Sequence, residues 1–348
     1  MIRVLVIDDS AVMRAFLSRV VASQPDMELV GASPDPLLAI DRIRKQPPDV
    51  ITLDVEMPRM NGLDFLRNLM SMRPLPVIMI SSLTRQGAET TMRALELGAV
   101  DFFPKPASFD QLESGAQEIA DKIRAASGAR VVRHRRAPAP PSGFAPLPLV
   151  QRTLTGPAAQ HRVIGIGAST GGVEALRDVL TGLPATMPPI LIAQHMPTGF
   201  TETFARRLDA LCEMDVKQAE DSEVVRNGVA YIAPGGRHLV LMRRGMGYQL
   251  RVTDDPPVNR HRPSVDTLFR SIARAAGAQA IGVMLTGMGA DGADAMVELR
   301  RTGARTIAQD EATSVVFGMP RQAIALGGAQ EVLGLPDIAG RLEALAAA

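Results

Sequence analysis

Asp8 and Asp9 stand together near the start of the chain, and Asp54 follows in Leu-Asp-Val-Glu-Met-Pro. Each lies at the end of a strand-length apolar run. Carboxylates gathered at one sheet edge repel one another and raise each other's pKa unless a cation is present. Oxygen ligands without sulfur or imidazole suit Mg²⁺, which keeps several waters and binds a phosphoryl group as well. A carboxylate held beside Mg²⁺ is a nucleophile towards phosphorus, giving an acyl phosphate. Lys105, one of four lysines among 34 arginines, sits between Pro104 and Pro106 after another apolar run. A compact ammonium there neutralises phosphoryl charge. Any one of these aspartates alone reads as a helix N-cap; the joint placement of Asp8, Asp9, Asp54 and Lys105 argues against that.

A second group lies in the other half. Arg162-Val-Ile-Gly-Ile-Gly-Ala-Ser169-Thr-Gly-Gly reads as a strand, a Gly-rich turn and a helix beginning near Gly172. A dinucleotide site is one reading, but the sixth position of a G-x-G-x-x-G from Gly165 is Thr170, so the fingerprint fails. A nucleophile turn is the other, because Gly167-Ala-Ser169-Thr-Gly171 satisfies G-x-S-x-G. The helix start offers backbone N–H groups to a developing oxyanion, that of Thr170 among them. Of the five histidines, His195 follows the apolar run 189–194 and should emerge at the same sheet edge as the general base. His134 and His161 lie in or beside a segment with nothing to orient them. His238 and His261 sit among arginines, which disfavour an imidazolium. The strand-like run from Ala280 opens into Thr286-Gly-Met-Gly-Ala-Asp291-Gly, and Asp291 is the acid to orient the base. The bland alternative makes Asp291 the N-cap of the following helix. Serine-nucleophile chemistry of this kind calls for no metal.

The elements that must position these residues follow from the pattern. Runs 2–7, 28–32, 50–53, 77–80 and 100–103 alternate with helix-like segments near 11–23, 35–45, 62–72, 87–97 and 108–124. Five βα units predict a parallel sheet covered on both faces, with the ligand site at the carboxyl ends of the strands. Acidic residues vanish between Asp121 and Glu174 while arginines and prolines continue, which reads as a solvated tether with an acidic docking partner as the alternative. The expected division is 1–124, a linker at 125–160, and 161–348. The fold class is α/β, two doubly wound parallel-sheet domains. Lys+Arg 38 against Asp+Glu 37 gives a net charge of +1, which argues against coating nucleic acid or an anionic membrane. No apolar run approaches the roughly 20 residues of a membrane span. The start Met1-Ile2-Arg3-Val4 runs straight into a strand and leaves no room for a signal peptide, so a cytoplasmic location is expected. The single cysteine, Cys212, excludes an internal disulfide.

On Ile-Asp8-Asp9-Ser, Leu-Asp54-Val-Glu-Met-Pro and Phe-Phe-Pro-Lys105-Pro, residues 1–124 resemble a response-regulator receiver domain, flavodoxin-like in fold. The resemblance implies that Asp54 accepts phosphate from a histidine kinase. It implies too that Asp9, Asp54 and the carbonyl of Glu56 hold Mg²⁺, with Asp8 assisting through water. Ser81 takes the switch-hydroxyl position and Phe102 that of the coupled aromatic. The second half resembles the catalytic domain of the chemotaxis protein-glutamate methylesterases, Rossmann-like in fold. That likeness rests on Ile-Gly-Ala-Ser169-Thr-Gly-Gly, Gln-His195-Met-Pro, Arg-His-Arg-Pro-Ser-Val-Asp, Leu-Thr-Gly-Met288-Gly-Ala-Asp291-Gly and Ser-Val-Val-Phe-Gly-Met-Pro. It implies Ser169 as nucleophile, His195 as base, Asp291 as orienting acid and the Met288 N–H in an oxyanion hole. The implied substrates are glutamate γ-methyl esters, and glutamines, on methyl-accepting chemoreceptors. The expected control is an unphosphorylated receiver that restricts access to Ser169. A phosphorylation-controlled binding module without hydrolase activity is the alternative; no helix-turn-helix signature supports it.

Overall fold

The structure, a computed structural model, describes residues 1–57, 60–106, 109–129 and 161–348. The first ten elements run β1 (Ile2–Ile7), α1 (Ala11–Ser23), β2 (Met27–Ser33), α2 (Pro36–Lys45), β3 (Val50–Asp54), α3 (Gly62–Met72), β4 (Val77–Ser81), α4 (Arg85–Glu96), β5 (Asp101–Pro104) and α5 (Phe109–Ser127). The strands form one five-stranded sheet in the order β2-β1-β3-β4-β5, and every pair is parallel. Every residue of β3 and β4 is buried, as two covered faces require and as their near-continuous apolar runs foretell. Helices start where the sequence supplies a cap: Ser10 accepts from the Met13 N–H, Asn61 from Asp64 and Thr84 from Gly87. The strand order reverses between β1 and β3, so Asp8 and Asp54 leave adjacent strands at the crevice where ligands bind in such sheets. Helix α5 extends to Ser127, past residue 124. The Arg/Pro-rich stretch 130–160 lies outside the described residues.

The second half continues with β6 (Val163–Ala168), α6 (Gly172–Leu180), β7 (Ile190–Gln194), α7 (Thr201–Asp209), β8 (Asp215–Gln218), β9 (Val229–Ile232), β10 (His238–Arg244), β11 (Gly247–Thr253), α8 (Val265–Ala276), β12 (Ala280–Met284), α9 (Ala293–Arg301), β13 (Arg305–Gln309), α10 (Met319–Ala325), β14 (Glu331–Leu333) and α11 (Leu335–Ala347). Seven strands form a sheet in the order β14-β13-β12-β6-β7-β9-β8, again parallel throughout. The chain leaves β6 on one side through β7 and returns on the other through β12, so the topological switch point lies at β6. Register does the rest. Ala168 pairs with Gln194 and Gly167 with Met284, so the residues that follow, Ser169, His195 and the 285–291 loop, emerge side by side. The antiparallel hairpin β10–β11, packed on α8, stands outside the sheet and is absent from the expected pattern. No helix among the described residues is long and apolar enough to cross a membrane.

Candidate active site

At the first sheet's edge Asp8 and Asp54 are buried and Asp9 is exposed, and one carboxylate oxygen from each lies within 4.8 Å of the others. Lys105 Nζ is 2.6 Å from Asp54 Oδ2 and 3.8 Å from Asp8 Oδ2. The Ser10 N–H donates to Asp8 Oδ1 and the Glu56 N–H to Asp54 Oδ1, while Asp8 Oδ2 is buried with no hydrogen-bond partner. Burial, and then the charge on Asp54, pushes the Asp8 carboxyl up to about 6. Burial raises Asp54 too, against the hydrogen bond from Lys105. Three oxygen donors, mutual repulsion and one orphaned buried carboxylate oxygen fit a hard divalent cation. Asp8, Asp9 and Asp54 are the residues able to hold Mg²⁺. Glu56 turns its side chain outwards, and its backbone closes on Asp54. The Ser81 hydroxyl is occupied by α4, donating to the Gly87 carbonyl and accepting from Thr91.

At the second edge the residues read from the sequence come together. His195 Nδ1 is 3.1 Å from Ser169 Oγ, and its Nε2 is 2.8 Å from Asp291 Oδ2. The turn carrying Ser169 depends on two glycines. Gly171 has φ +77°, and a Cβ on Gly172 would lie 2.1 Å from Gln194 Oε1. Asp291 does not cap the helix that follows it. Gly292 holds that position without a side-chain bond, and Asp291 sits instead at the N-terminus of α8. There its Oδ1 accepts from Asn259 Nδ2, Ser264 Oγ and the Asp266 N–H, and its Oδ2 from the Val265 N–H at 2.7 Å. Burial opposes the charge, but the hydrogen bond and charge of His195, with those from Asn259 and Val265, outweigh it. The carboxyl is held well below the usual carboxylate range, as a helix N-terminus favours. His238 is fully buried, accepting from the Ser264 N–H and reaching the Pro256 carbonyl; its role is to hold the loop before α8.

The two N–H groups expected to face an oxyanion share one construction. The Ser169 carbonyl accepts from the Gly172 N–H at 2.7 Å and from Gln194 Nε2 at 3.0 Å. The Gly287 carbonyl accepts from the Gly318 and Met319 N–H groups at 3.1 and 2.8 Å. In a trans peptide the N–H points opposite its carbonyl, so these anchors fix the directions of the Thr170 and Met288 N–H groups. Neither donates to a protein acceptor among the described residues. Gln194 stands in the Gln-His195-Met-Pro segment, but a glutamine at a strand end gives no sequence signal of clamping the Ser169 carbonyl.

The first half covers this edge. Helix α4 packs on α6 and α7; Glu96 pairs with Arg207, and Glu89 lies 3.7 Å from Arg206. Phe102 packs on Phe200 with ring centroids 4.5 Å apart. Asp101 Oδ2 accepts from Thr170 Oγ1 at 2.6 Å and from Lys122 Nζ at 2.8 Å. Leu95, Ala99 and Val100 face Ser169 and Gly171 across a narrow crevice. The residue after the serine is thus held by the residue before Phe102.

A family model described as CheB methylesterase matches residues 164–342, and one for the response regulator receiver domain matches residues 4–117. A protein-glutamate methylesterase/protein-glutamine glutaminase of Burkholderia lata is 54% identical over 99% of this chain and 95% of its own. One of Bordetella parapertussis is 56% identical over 98% of this chain and 96% of its own. The crystal structure of the Thermotoga maritima CheB methylesterase catalytic domain superposes with a TM-score of 0.52 at 40% identity, covering 53% of this chain and 98% of that one. With both models in chain order and relatives matched end to end, the chain belongs to the CheB methylesterase family.

Proposed function

We propose that the chain is a phosphorylation-activated serine esterase that hydrolyses glutamate γ-methyl esters on cytoplasmic regions of chemoreceptors and deamidates receptor glutamines. The unbroken hydrogen-bonded line Ser169–His195–Asp291 carries this reading. With Asp291 ionised, His195 keeps its proton on Nε2 and presents a bare Nδ1 to the serine hydroxyl. Ser169 attacks the ester carbonyl, His195 takes the proton, and the Thr170 and Met288 N–H groups receive the oxyanion. His195 then returns the proton to the departing methoxide, and water releases the carboxylate by the reverse exchange. A glutamine follows the same course and releases ammonia.

The receiver supplies control. Asp54 is the phosphoacceptor, with a histidine kinase or small phosphodonor as source, and Lys105 neutralises the phosphoryl group. Asp8, Asp9 and Asp54, with the Glu56 carbonyl, would hold Mg²⁺, which would supply positive charge beside the phosphoacceptor. Ser81, leaving its α4 partners for the phosphoryl oxygens, and Phe102, leaving Phe200, loosen the cover over Ser169.

A phosphodonor with Mg²⁺ is expected to raise methanol release from methylated receptors. Chelation or Asp54→Asn should abolish the stimulation and leave the basal rate in place. Loss of the basal rate on chelation would place a metal in the ester chemistry itself. Closure can be probed at its rim. Glu96→Arg sets two guanidinium groups face to face, and the basal rate should rise roughly 5–10-fold, equivalent to about 1–1.4 kcal/mol. Adding Arg207→Glu restores opposite charges and should return the basal rate towards the parent's. An unchanged rate in Glu96→Arg would reject closure as the source of inhibition.

A further inference from the structure

Residues 258–261 close a tight turn. The Val258 and His261 backbones bond to each other in both directions, at 3.1 and 2.9 Å. The two residues between them, Asn259 and Arg260, have φ of 52° and 67°. That is the pairing of a type I′ turn, which asparagine accepts at the first position and which ordinarily wants glycine at the second. An arginine in left-handed backbone persists where its surroundings over-determine it. Here they do. Asn259 Nδ2 donates to Asp291 Oδ1 at 2.8 Å and to Asp266 Oδ2 at 2.7 Å. The His261 ring lies flat on that of His195, with centroids 3.7 Å apart and planes inclined by 10°. One turn therefore touches both the base and the acid that orients it.

The base has a specific need for such a support. Its Nδ1 faces the serine and its Nε2 the aspartate. A half-turn about χ2 would replace Nδ1 by Cδ2 and Nε2 by Cε1, losing both polar contacts together. Torsions of this sp³–sp² type are broad, so χ2 alone does not hold the ring. A parallel aromatic face restricts tilt and rotation in a way that a point contact does not. We infer that His261 is the positioning residue that holds the His195 imidazole in its working orientation. Burial, and then the charge of His195, takes the His261 ring down to about 3. It stays neutral beside the imidazolium that forms in each proton transfer.

The inference rests on the Ser169–His195–Asp291 reading, and its test is separable from that reading. The full chain holds five histidines, so ring-¹⁵N labelling of histidine reports directly which His195 nitrogen is protonated. The parent should show one Nε2–H tautomer. His261→Ala should show mixed tautomers, with kcat for phosphodonor-activated methanol release down about 10²-fold and KM little changed. His261→Phe, which keeps a flat face and has no ring nitrogen, should restore the single tautomer and bring kcat to within a few-fold of the parent. A parent-like tautomer and kcat in His261→Ala would overturn the inference. So would a His261→Phe variant, folded by its near-ultraviolet spectrum, that matches His261→Ala. A parent with the single tautomer but no Ser169-dependent methanol release would fail the esterase reading instead, and the ring signals would still decide the role of His261.

Discussion

Replacing Ser169 with alanine is expected to lower activated methanol release by roughly 10⁶-fold, to the residue that binding and the oxyanion donors alone provide. The substitution is unusually clean. Among the described residues the serine's one side-chain hydrogen bond is to His195, and its N–H bond to the Thr286 carbonyl is a backbone contact that alanine keeps. The turn glycines, the Gln194 clamp and the Asp101–Thr170 bond are untouched, so Asp54 should phosphorylate at the parent's rate. Methanol quantified from methylated receptor membranes, beside phosphoryl incorporation, separates the two halves. Release that survives in Ser169→Ala would mean a different nucleophile.

Asp291→Asn should cost about 10⁴-fold in kcat, and for a reason beyond lost charge. Asp291 Oδ1 and Oδ2 both face donors: Asn259, Ser264 and the Asp266 N–H on one side, the Val265 N–H and His195 on the other. An amide has one accepting end. Facing its oxygen towards Oδ1's donors puts an NH₂ against the Val265 N–H and obliges His195 Nε2 to accept. The imidazole proton then moves to Nδ1, where it blocks the exchange with Ser169. The opposite amide rotamer sets the NH₂ against three donors. The parent's carboxyl, held below its unfolded value of 3.8, contributes stability that is present above that pH. That stability is lost only as pH falls through the lower folded value. A kcat in Asp291→Asn within tenfold of the parent would remove Asp291 from the mechanism.

Legibility in the sequence tracked range of contact. Most strands of the first sheet are strand-length apolar runs between short turns, and local pattern sufficed to place them. Ser169 and His195 were legible because each directly follows a strand run, and Asp291 because a Gly-rich loop leaves the end of another, and parallel registers carry run ends to one edge. The β10–β11 hairpin was not, since β10 ends in exposed arginines and alternation fades where one strand face meets solvent. His261 was set aside as a base because arginines flank it. Burial and then the charge of His195 lower that ring, with Arg260 only the last contributor, and nothing in a one-dimensional pattern reveals that it lies on another ring. Asp101 was equally silent. An acid at the start of a buried strand acquires meaning only when Thr170, 69 positions away, arrives beside it.

That Asp101–Thr170 bond sets a reciprocal bargain between the two halves. Under the proposed control, the surface beside the nucleophile holds either the receiver or a receptor helix, never both. Whatever factor phosphorylation adds to receptor affinity, a bound receptor must add to the stability of the phosphorylated state. The methylated receptor is then an effector of the signalling half as well as a substrate of the other. Adaptation driven this way would be strongest where substrate is plentiful, and would relax as the last esters disappear.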